Sequence, residues 1–458
     1  MAQHNVSVED TLKVLVDNKK YSTVKDVLVT MNPSDIAAIF DQLAEDQIPI
    51  MFRLLPKALA ADTFVEMDSD NQELLIKGFS DTELKQVLDE LYIDDAADIV
   101  EEMPANVVSR ILMHVTPDKR REINEILRFP ENSAGSIMTT EYISLSPDMT
   151  VRDAFEKIRT TGVDKETIYT CYVLSRFNRI LGLVSAKDLM LAKDQDCQVE
   201  SLMTTNVITV NTMMDQEEVA KQLSKYNFLA LPVVDSDNRM VGIVTFDDAM
   251  DVMVEEATED MTIMSAQTPY DKSYLRTSPF ELFKHRIPWL MLLMISATFT
   301  GLIITSFESA LAAQVILTAF IPMLMDTGGN SGSQSSVTII RAISLGEIEF
   351  KDIGKVLLKE FATALMCGIT LGAVCFGKVM LVDGMLFHNP QVTVLVAMVV
   401  CFTMATTVMV AKLIGCALPL LAKKLGFDPA VMASPFITTI VDAISLMVYL
   451  RIATAVLF

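Results

Sequence analysis

Histidine and paired cysteine are what this chain has least of. Its four histidines (His4, His114, His285, His388) are scattered, and its six cysteines (Cys171, Cys197, Cys367, Cys375, Cys401, Cys416) form no Cys-x-x-Cys pair. That spacing argues against a zinc site built from these ligands. Cysteines lying mostly in apolar stretches are expected to be reduced, buried thiols rather than a disulfide framework. No phosphate-binding loop, dinucleotide fingerprint or nucleophile–base set is present, so an enzyme is not expected. Basic charge is also short, with 37 Lys and Arg against 59 Asp and Glu and a formal charge of −22. Such an acidic chain is a poor partner for nucleic acid. The start, MAQHNVSVEDTL, has no basic segment followed by an apolar core. A signal peptide is therefore not expected, and the acidic part is expected in the cytosol.

The charge is unevenly placed. Residues 1–280 hold 49 acidic and 26 basic residues, a net of −23, whereas residues 281–458 hold 10 and 11, a net of +1. Yet 51% of the chain is hydrophobic. Together these describe an acidic, water-facing part followed by a nearly neutral part that lies in a lipid bilayer.

Five apolar stretches follow residue 286: Ile287–Phe307, Ser309–Met325, Phe361–Gly377, Gly384–Ala411 and Pro429–Leu450. The first is an uncharged run of 21 residues, long enough to cross the hydrocarbon core as a helix. Basic residues alternate between the links. Lys284 and Arg286 precede the first stretch; Arg341, Lys351, Lys355 and Lys359 lie between the second and third; Lys412, Lys423 and Lys424 lie between the fourth and fifth. The other links carry none, which predicts a multi-pass cell-membrane protein with the N-terminus in the cytoplasm and the C-terminus outside.

Two features within these stretches carry chemistry. Asp442, in ITTIVDAISL, is a carboxylate at bilayer depth, where charge is costly and usually functional. Thr438 and Thr439 lie on its helix face, and Pro435 is expected to free backbone carbonyls nearby. Carboxylate, hydroxyl and carbonyl oxygens are what Mg²⁺ or Ca²⁺ prefers. Pairing of Asp442 with a lysine such as Lys378 is the structural alternative. The second feature, Ile321–Ser336, reads IPMLMDTGGNSGSQSS and interrupts an apolar helix with small and polar residues. Asn330 and Gln334 are candidates for contact with an ion, Asp326 less so; helix packing by the glycines is the alternative.

The acidic part contains an internal repeat. Ser136-Ile-Met-Thr-Thr140 recurs as Ser201-Leu-Met-Thr-Thr205, and Gly182-Leu-Val-Ser-Ala-Lys-Asp188 as Gly242-Ile-Val-Thr-Phe-Asp-Asp248. Between the marks each copy has a helical stretch (Val151–Thr160, Gln216–Tyr226) and a β-rich one (Thr170–Leu174, Ala230–Val234). This β-α-β-β-α layout resembles a tandem pair of CBS domains. The resemblance implies adenine-nucleotide binding by Ser185, Asp188, Thr245 and Asp248; capping of the following helices by the two aspartates is the alternative.

Residues before 130 read as short amphipathic helices with polar starts, such as Ser80-Asp-Thr-Glu and Thr116-Pro-Asp, stacked into a small superhelix. Asp94 and Asp98 share one helix face, alone usually a solvated one. At the junction, Asp247, Asp248, Asp251, Glu255, Glu256, Glu259 and Asp260 fall within 14 residues with no basic residue among them. A helix over about 247–265 would carry like charges four residues apart, unfavourable unless cations bind.

The fold class is therefore multidomain: an all-α helical superhelix over 1–130, an α/β tandem CBS pair over 131–248, an acidic connecting helix and linker over 249–280, and a five-helix transmembrane domain over 281–458. These parts in this order resemble the MgtE family of magnesium channels. The most specific marks are DDAAD (Asp94–Asp98), RFPENSAGSIMT (Arg128–Thr139), EEATED (Glu255–Asp260), MDTGGNSGSQS (Met325–Ser335) and TTIVDAIS (Thr438–Ser445). The resemblance implies a homodimer that passes Mg²⁺ down its gradient, with Asp442 as the pore carboxylate. It also implies that cytosolic Mg²⁺ closes the pore by binding between the N domain, the CBS pair and the connecting helix. The matching acidic positions are Asp94, Asp98, Asp215, Glu217, Asp248, Asp251, Glu256, Glu259 and Asp260, with Asp428 facing the connecting helix. The chain departs from the family pattern at Tyr226-Asn227, where Tyr-Asp is common, and near the start of span five, where Ser434 stands closest to a common Asn. Two rival readings are a transporter of Mn²⁺, Co²⁺ or Ca²⁺, and a membrane sensor that reads nucleotide without transport. The absence of His and Cys at the pore disfavours soft metals.

Overall fold

A computed structural model describes residues 8–270, 274 and 277–457, and the chain divides into two compact units, Met1–Val254 and Glu255–Phe458. Residues 271–273, 275 and 276 of the expected linker, the first seven residues with His4, and the side chain of Ser434 lie outside the described residues.

The first unit begins with ten helices, α1 (Val8–Asp17) to α10 (Pro117–Ile126), around one apolar core. The polar starts act as caps. Ser80 accepts the Glu83 amide while Glu83 returns a bond to Ser80, and Thr116 accepts the Lys119 amide. In α8 (Ile93–Glu102) the helix starts one residue earlier than the Asp94-Asp95 pair, so both carboxylates occupy its first turn, where the helix dipole favours negative charge.

Two three-stranded sheets follow. In the first, β1 (Ile143–Leu145) runs parallel to β2 (Thr170–Leu174), which pairs antiparallel with β3 (Ile180–Ser185). In the second, β4 (Val210–Asn211), β5 (Ala230–Val234) and β6 (Met240–Thr245) repeat the pattern. The helices α11 (Val151–Thr161), α12 (Ala186–Leu191) and α13 (Gln216–Tyr226) fall where the repeat places them.

The two sequence marks of the repeat have one physical cause. Thr139 exchanges backbone bonds with Ile243 on β6 (2.8 and 2.9 Å), and Thr204 does so with Leu183 on β3 (2.8 and 3.0 Å). Each Met-Thr segment thus extends the sheet that carries the other mark. A Cβ on Gly242 would lie 2.7 Å from the Thr139 carbonyl oxygen and 2.8 Å from Met138 Sδ; one on Gly182 would lie 2.8 Å from the Thr204 oxygen. The glycine of one mark is small so that the Met-Thr backbone of the other can lie on it. Asn227, at one of the departures from the family pattern, ends α13 in the left-handed conformation (φ 54°), which Asn tolerates well.

The connecting helix α14 (Phe246–Met264) is continuous, as the charge run predicts. The second unit is helical: α15 (Pro279–Ser306), the short α16 (Glu308–Ala313), α17 (Ile316–Ser344), α18 (Ile353–Lys378), α19 (Val394–Lys424) and α20 (Ser434–Leu457). Among the described residues, four segments are long and apolar enough to cross a membrane: Pro279–Ser306, Phe350–Leu386, Val394–Lys424 and Pro429–Leu457. The fifth long helix, α17, carries the Gly- and Ser-rich stretch. Three expectations are corrected here. The second apolar stretch, expected over Ser309–Met325, is divided between α16 and α17, and α17 runs on through the Gly-rich residues to Ser344. A π-helical continuation of α18 covers Val379–Leu386, so the fourth span starts at Val394 and not at Gly384. Lys412 lies inside α19, buried at 5% exposure, and not in a loop.

The packing of α17 follows from its sequence. Residues 328, 329, 332 and 336 form one face pressed on α19 and α20. A Cβ on Gly415 of α19 would sit 2.3 Å from the Gly332 carbonyl oxygen, and one on Gly332 2.8 Å from Ile437 of α20. Small residues let these backbones touch where the hydrophobic effect gives helices no preference for one another. Asp326, Asn330 and Gln334 occupy the other, exposed face.

Candidate metal centre and membrane site

The first site lies where α8 meets the CBS pair. Asp94 is 6% exposed, and its carboxylate lies with those of Glu141 and Glu166 so that one oxygen from each falls within 4.8 Å of the others. Glu141 directly follows the first Met-Thr-Thr mark, and its carboxylate accepts the Ile93 amide at the start of α8 (3.3 Å). Glu166 is brought in by its own amide, which donates to the Glu141 carbonyl (2.9 Å). One Glu166 oxygen is buried and without a partner. Asp248, at the start of α14, has its carboxylate bonded by the Thr245 hydroxyl.

These groups repel one another in poorly solvated surroundings. Burial, then Asp248, Asp95 and Glu166, hold Asp94 well above the ordinary carboxylate range. Burial and then Asp248, Asp95, Asp247 and Glu141 push Glu166 up to about 8. Asp95 and Asp248 are each pushed to about 6, mainly by burial. Asp98 is raised by the protein packed around it and then by Asp248, although its side chain still reaches solvent. The solvated-face reading is thereby replaced for Asp94, which is buried, while Asp98 stays exposed within the field of Asp248. Lys119 offsets part of this field, but its ammonium also donates to the Leu88 carbonyl (2.8 Å) and to that of Leu91. Carboxylates, one of them with an orphaned buried oxygen, are a fitting donor set for a hard divalent cation.

The remaining sensor candidates are placed differently. Asp251 is raised by burial and then by Glu66 and Asp247, so it faces the helical region as well. Asp215 caps α13 by accepting the Glu217 amide, and Glu217 pairs with Lys221 at 2.7 Å. Neither joins the Asp94–Glu141–Glu166 group. Asp260 accepts a bond from Ser344 at the end of α17 (3.4 Å), whereas Glu256 and Glu259 lie on α14 without joining that carboxylate group. Asp428 is exposed and caps the turn Pro429–Met432 through the Ala430 amide (2.7 Å). For the nucleotide candidates, Ser185 rather than Asp188 caps α12. Its hydroxyl accepts the Asp188 amide (3.0 Å) and donates to the Asp188 carboxylate (2.6 Å), as Thr245 does to Asp248.

In the membrane unit, Asp442 on α20 is half-buried beside Gly329; a Cβ there would lie 3.6 Å from Asp442 Oδ1 and 3.0 Å from Thr438. Asn330 donates to Asp326 (3.2 Å). The Lys378 alternative does not hold, because Lys378 pairs with Asp383 at 2.8 Å. Pro435 is not mid-helix but in the first turn of α20, where its missing N–H is no loss. Its carbonyl accepts both the Thr438 and the Thr439 hydroxyls (2.9 and 3.0 Å). Asn330 and Gln334 line a cleft of about 810 Å³.

Sequence reasoning missed Glu141, Glu166 and Lys119. Glu141 was findable, as it extends a repeat mark; Glu166 and Lys119 carry no local signal, because only the fold brings their segments to α8.

Comparison with known proteins finds matches to three families along the chain. Residues 31–132 match the MgtE intracellular N domain, 134–194 and 199–255 match CBS domains, and 321–452 match the family described as MgtE, divalent cation transporter. The chain is 36% identical over 438 residues to the magnesium transporter MgtE of Thermus thermophilus, covering 95% of each. It is 31% identical over 442 residues to that of Bacillus subtilis, covering 96% of each. Among solved structures it resembles the cytosolic domain of the Mg²⁺ channel MgtE in complex with ATP, at 34% identity and a TM-score of 0.51, covering 54% of this chain and 100% of that one.

The acidic group sets a testable pH dependence. A carboxylate raised on folding binds more protons folded than unfolded between its two pKa values, so stability without Mg²⁺ falls as pH rises through about 6 to about 8. Mg²⁺ competes with those protons. Its stabilisation of the full chain in detergent, read by thermal unfolding, is expected to be small near about pH 5 and large near about pH 9. A Mg²⁺ effect of equal size at both would contradict the assignment.

Proposed function

This chain belongs to the MgtE family of magnesium transporters, multi-pass membrane proteins and not enzymes, and from that premise we propose that it is a homodimeric Mg²⁺ channel closed by cytosolic Mg²⁺. The observation that carries the reading is Asp442, a carboxylate at bilayer depth set against the small-residue face of α17, while Lys378 pairs with Asp383 instead. A charge placed there costs roughly 3 kcal/mol or more, and a cation offsets that cost. Mg²⁺ gives up its waters reluctantly, so two Asp442 carboxylates, one from each subunit, hold the hydrated ion through its water shell. Thr438, Thr439, Asn330 and Gln334 offer further oxygens along the path.

Closure uses the acidic group. Without Mg²⁺, Asp94, Asp98 and Asp248 repel, and the start of α14 is held less firmly to α8. With Mg²⁺ the repulsion is offset, and α14, which continues to Asp260 and its bond with Ser344 of α17, biases the pore helix toward the closed state. Asp251, Glu256, Glu259 and Asp428 add charge to this switch, and Asp215 with Glu217 forms a separate outlying site. Dimerisation is supported by the exposed apolar side chains Met190, Leu191, Leu229, Met250 and Met253 on the CBS pair and α14, surface that a second copy would cover. The basic links support a cytoplasmic N-terminus and an outer C-terminus. The domains follow as 1–130, 131–248, 249–280 and 281–458.

Flux into liposomes tests this directly. Wild type is expected to take up Mg²⁺ at low internal Mg²⁺ and Asp442→Ala to lose it; unchanged flux in the variant would sink the reading and favour a non-transporting sensor. Mn²⁺, Co²⁺ or Ca²⁺ carried in preference to Mg²⁺ would favour the other divalent reading. Joint neutralisation of Glu256, Glu259 and Asp260 is expected to leave flux running at high internal Mg²⁺.

ATP is proposed as a ligand of Ser185, Asp188, Thr245 and Asp248, by analogy with the related cytosolic domain solved with ATP. Calorimetry on the full chain is expected to show ATP binding that Asp188→Ala weakens; equal binding by both would remove Asp188 from the site.

A further inference from the structure

A second charged group lies within the membrane unit, where α17, α18 and α19 meet one turn from the Gly332–Gly415 contact. Lys412 of α19 is 5% exposed, and its ammonium donates to the Ser335 hydroxyl (3.3 Å). The same hydroxyl donates to the carboxylate of Glu360 on α18 (2.7 Å). The chain Lys412–Ser335–Glu360 thus joins three helices through one hydroxyl. Glu360, Lys412 and Ser335 line the cleft of about 810 Å³ together with Asn330, Ser333 and Gln334. The Ser333 hydroxyl is buried there without a partner.

Two charges of opposite sign on membrane-length helices, one of them buried, are costly and usually functional. Were they only a clamp between helices, a dry contact would suffice. Instead Glu360 borders an open cleft, half-buried, with two amide side chains and an unsatisfied hydroxyl around it. At roughly 30 Å³ per water the space admits a cation with its hydration shell. The site's formal charge is zero, because Lys412 cancels Glu360. A dication drawn to Glu360 therefore meets a tethered competitor and a hydroxyl already bonded to the carboxylate, and both weaken its hold. Conduction needs sites that are attractive enough to enter and weak enough to leave.

We propose that this cleft is a second, low-affinity transit site for a hydrated divalent cation, in which Glu360 attracts the ion and Lys412, one hydroxyl away, keeps it from staying. The proposal rests on the reading of the chain as a Mg²⁺ conduit. It adds a carboxylate and a lysine to the ion path beyond Asp442, with Asn330 and Gln334 lining the same cleft as Glu360.

The test is Mg²⁺ flux into liposomes against external Mg²⁺ for wild type, Glu360→Gln, Ser335→Ala and Lys412→Met, with half-saturation and maximum rate read separately. Removing either competitor, by Ser335→Ala or Lys412→Met, is expected to lower the half-saturating Mg²⁺ several-fold and to lower the maximum rate, as a tighter site releases its ion more slowly. Glu360→Gln is expected to raise half-saturation, and combined with Lys412→Met to cancel the latter's tightening. Ser335→Ala changes little volume and keeps the test alive if Lys412→Met does not fold. Half-saturation equal to wild type in Glu360→Gln and Ser335→Ala, whatever the maximum rate, would overturn the proposal and leave a structural clamp. No flux in wild type would instead overturn the transport reading on which it rests.

Discussion

Carboxylates brought together faster than the surrounding protein can neutralise them are the constraint on which this structure turns. Asp94, Glu141 and Glu166 converge to within 4.8 Å, and Asp95, Asp98 and Asp248 add to the same field. Nothing in their own chemistry favours that arrangement. It is enforced by apolar packing of the helical core, by the Glu141 bond to the Ile93 amide at the start of α8, and by the sheet extension at Thr139 that fixes where Glu141 stands. The cost is recovered when protons or a divalent cation enter. A group held in this way responds to ion concentration because its unbound state is the poor one.

The membrane unit uses charge in the opposite style. Two of its carboxylates stand beside a packing device: Asp442 against Gly329, Glu360 against Ser335. The close approach of α17, α19 and α20 at Gly332 and Gly415 leaves the polar face of α17 turned toward open space. One helix therefore serves both as the tightest contact of the bundle and as the wall of its cleft. In the proposed account this is how a pore helix stays apolar enough to insert yet carries Asp326, Asn330 and Gln334 on one face.

Much of this was legible in the sequence, for stated reasons. The repeat marks placed α11, β2, α13 and β5 to within a residue, because Gly182 and Gly242 are forced by backbone contact and cannot drift. The capped starts of the short helices were equally plain at Ser80 and Thr116. What stayed hidden depended on distance in the fold. Glu166 and Lys119 reach the acidic group from segments with no pattern of their own. Lys412 looked like a loop lysine because a long helix and a short span with a basic end read alike; only burial tells them apart. The glycine stretch of α17 left ion contact and packing both open because its packing partners, Ala411, Gly415 and Ile437, are remote in sequence.

The account makes α14 the carrier between the two kinds of site, since its first turn holds Asp248 and its far end holds Asp260, bonded to Ser344. Its central claim is that Mg²⁺ relieves repulsion around Asp94 and so firms the junction of α8 with the start of α14. Amide hydrogen exchange of the full chain, with and without Mg²⁺, tests that most directly. The expected result is slower exchange on Mg²⁺ addition in Ile93–Glu102 and in the first turns of α14, with little change in the helices before Ser69. Exchange in those two segments that is unaffected by Mg²⁺ would contradict it.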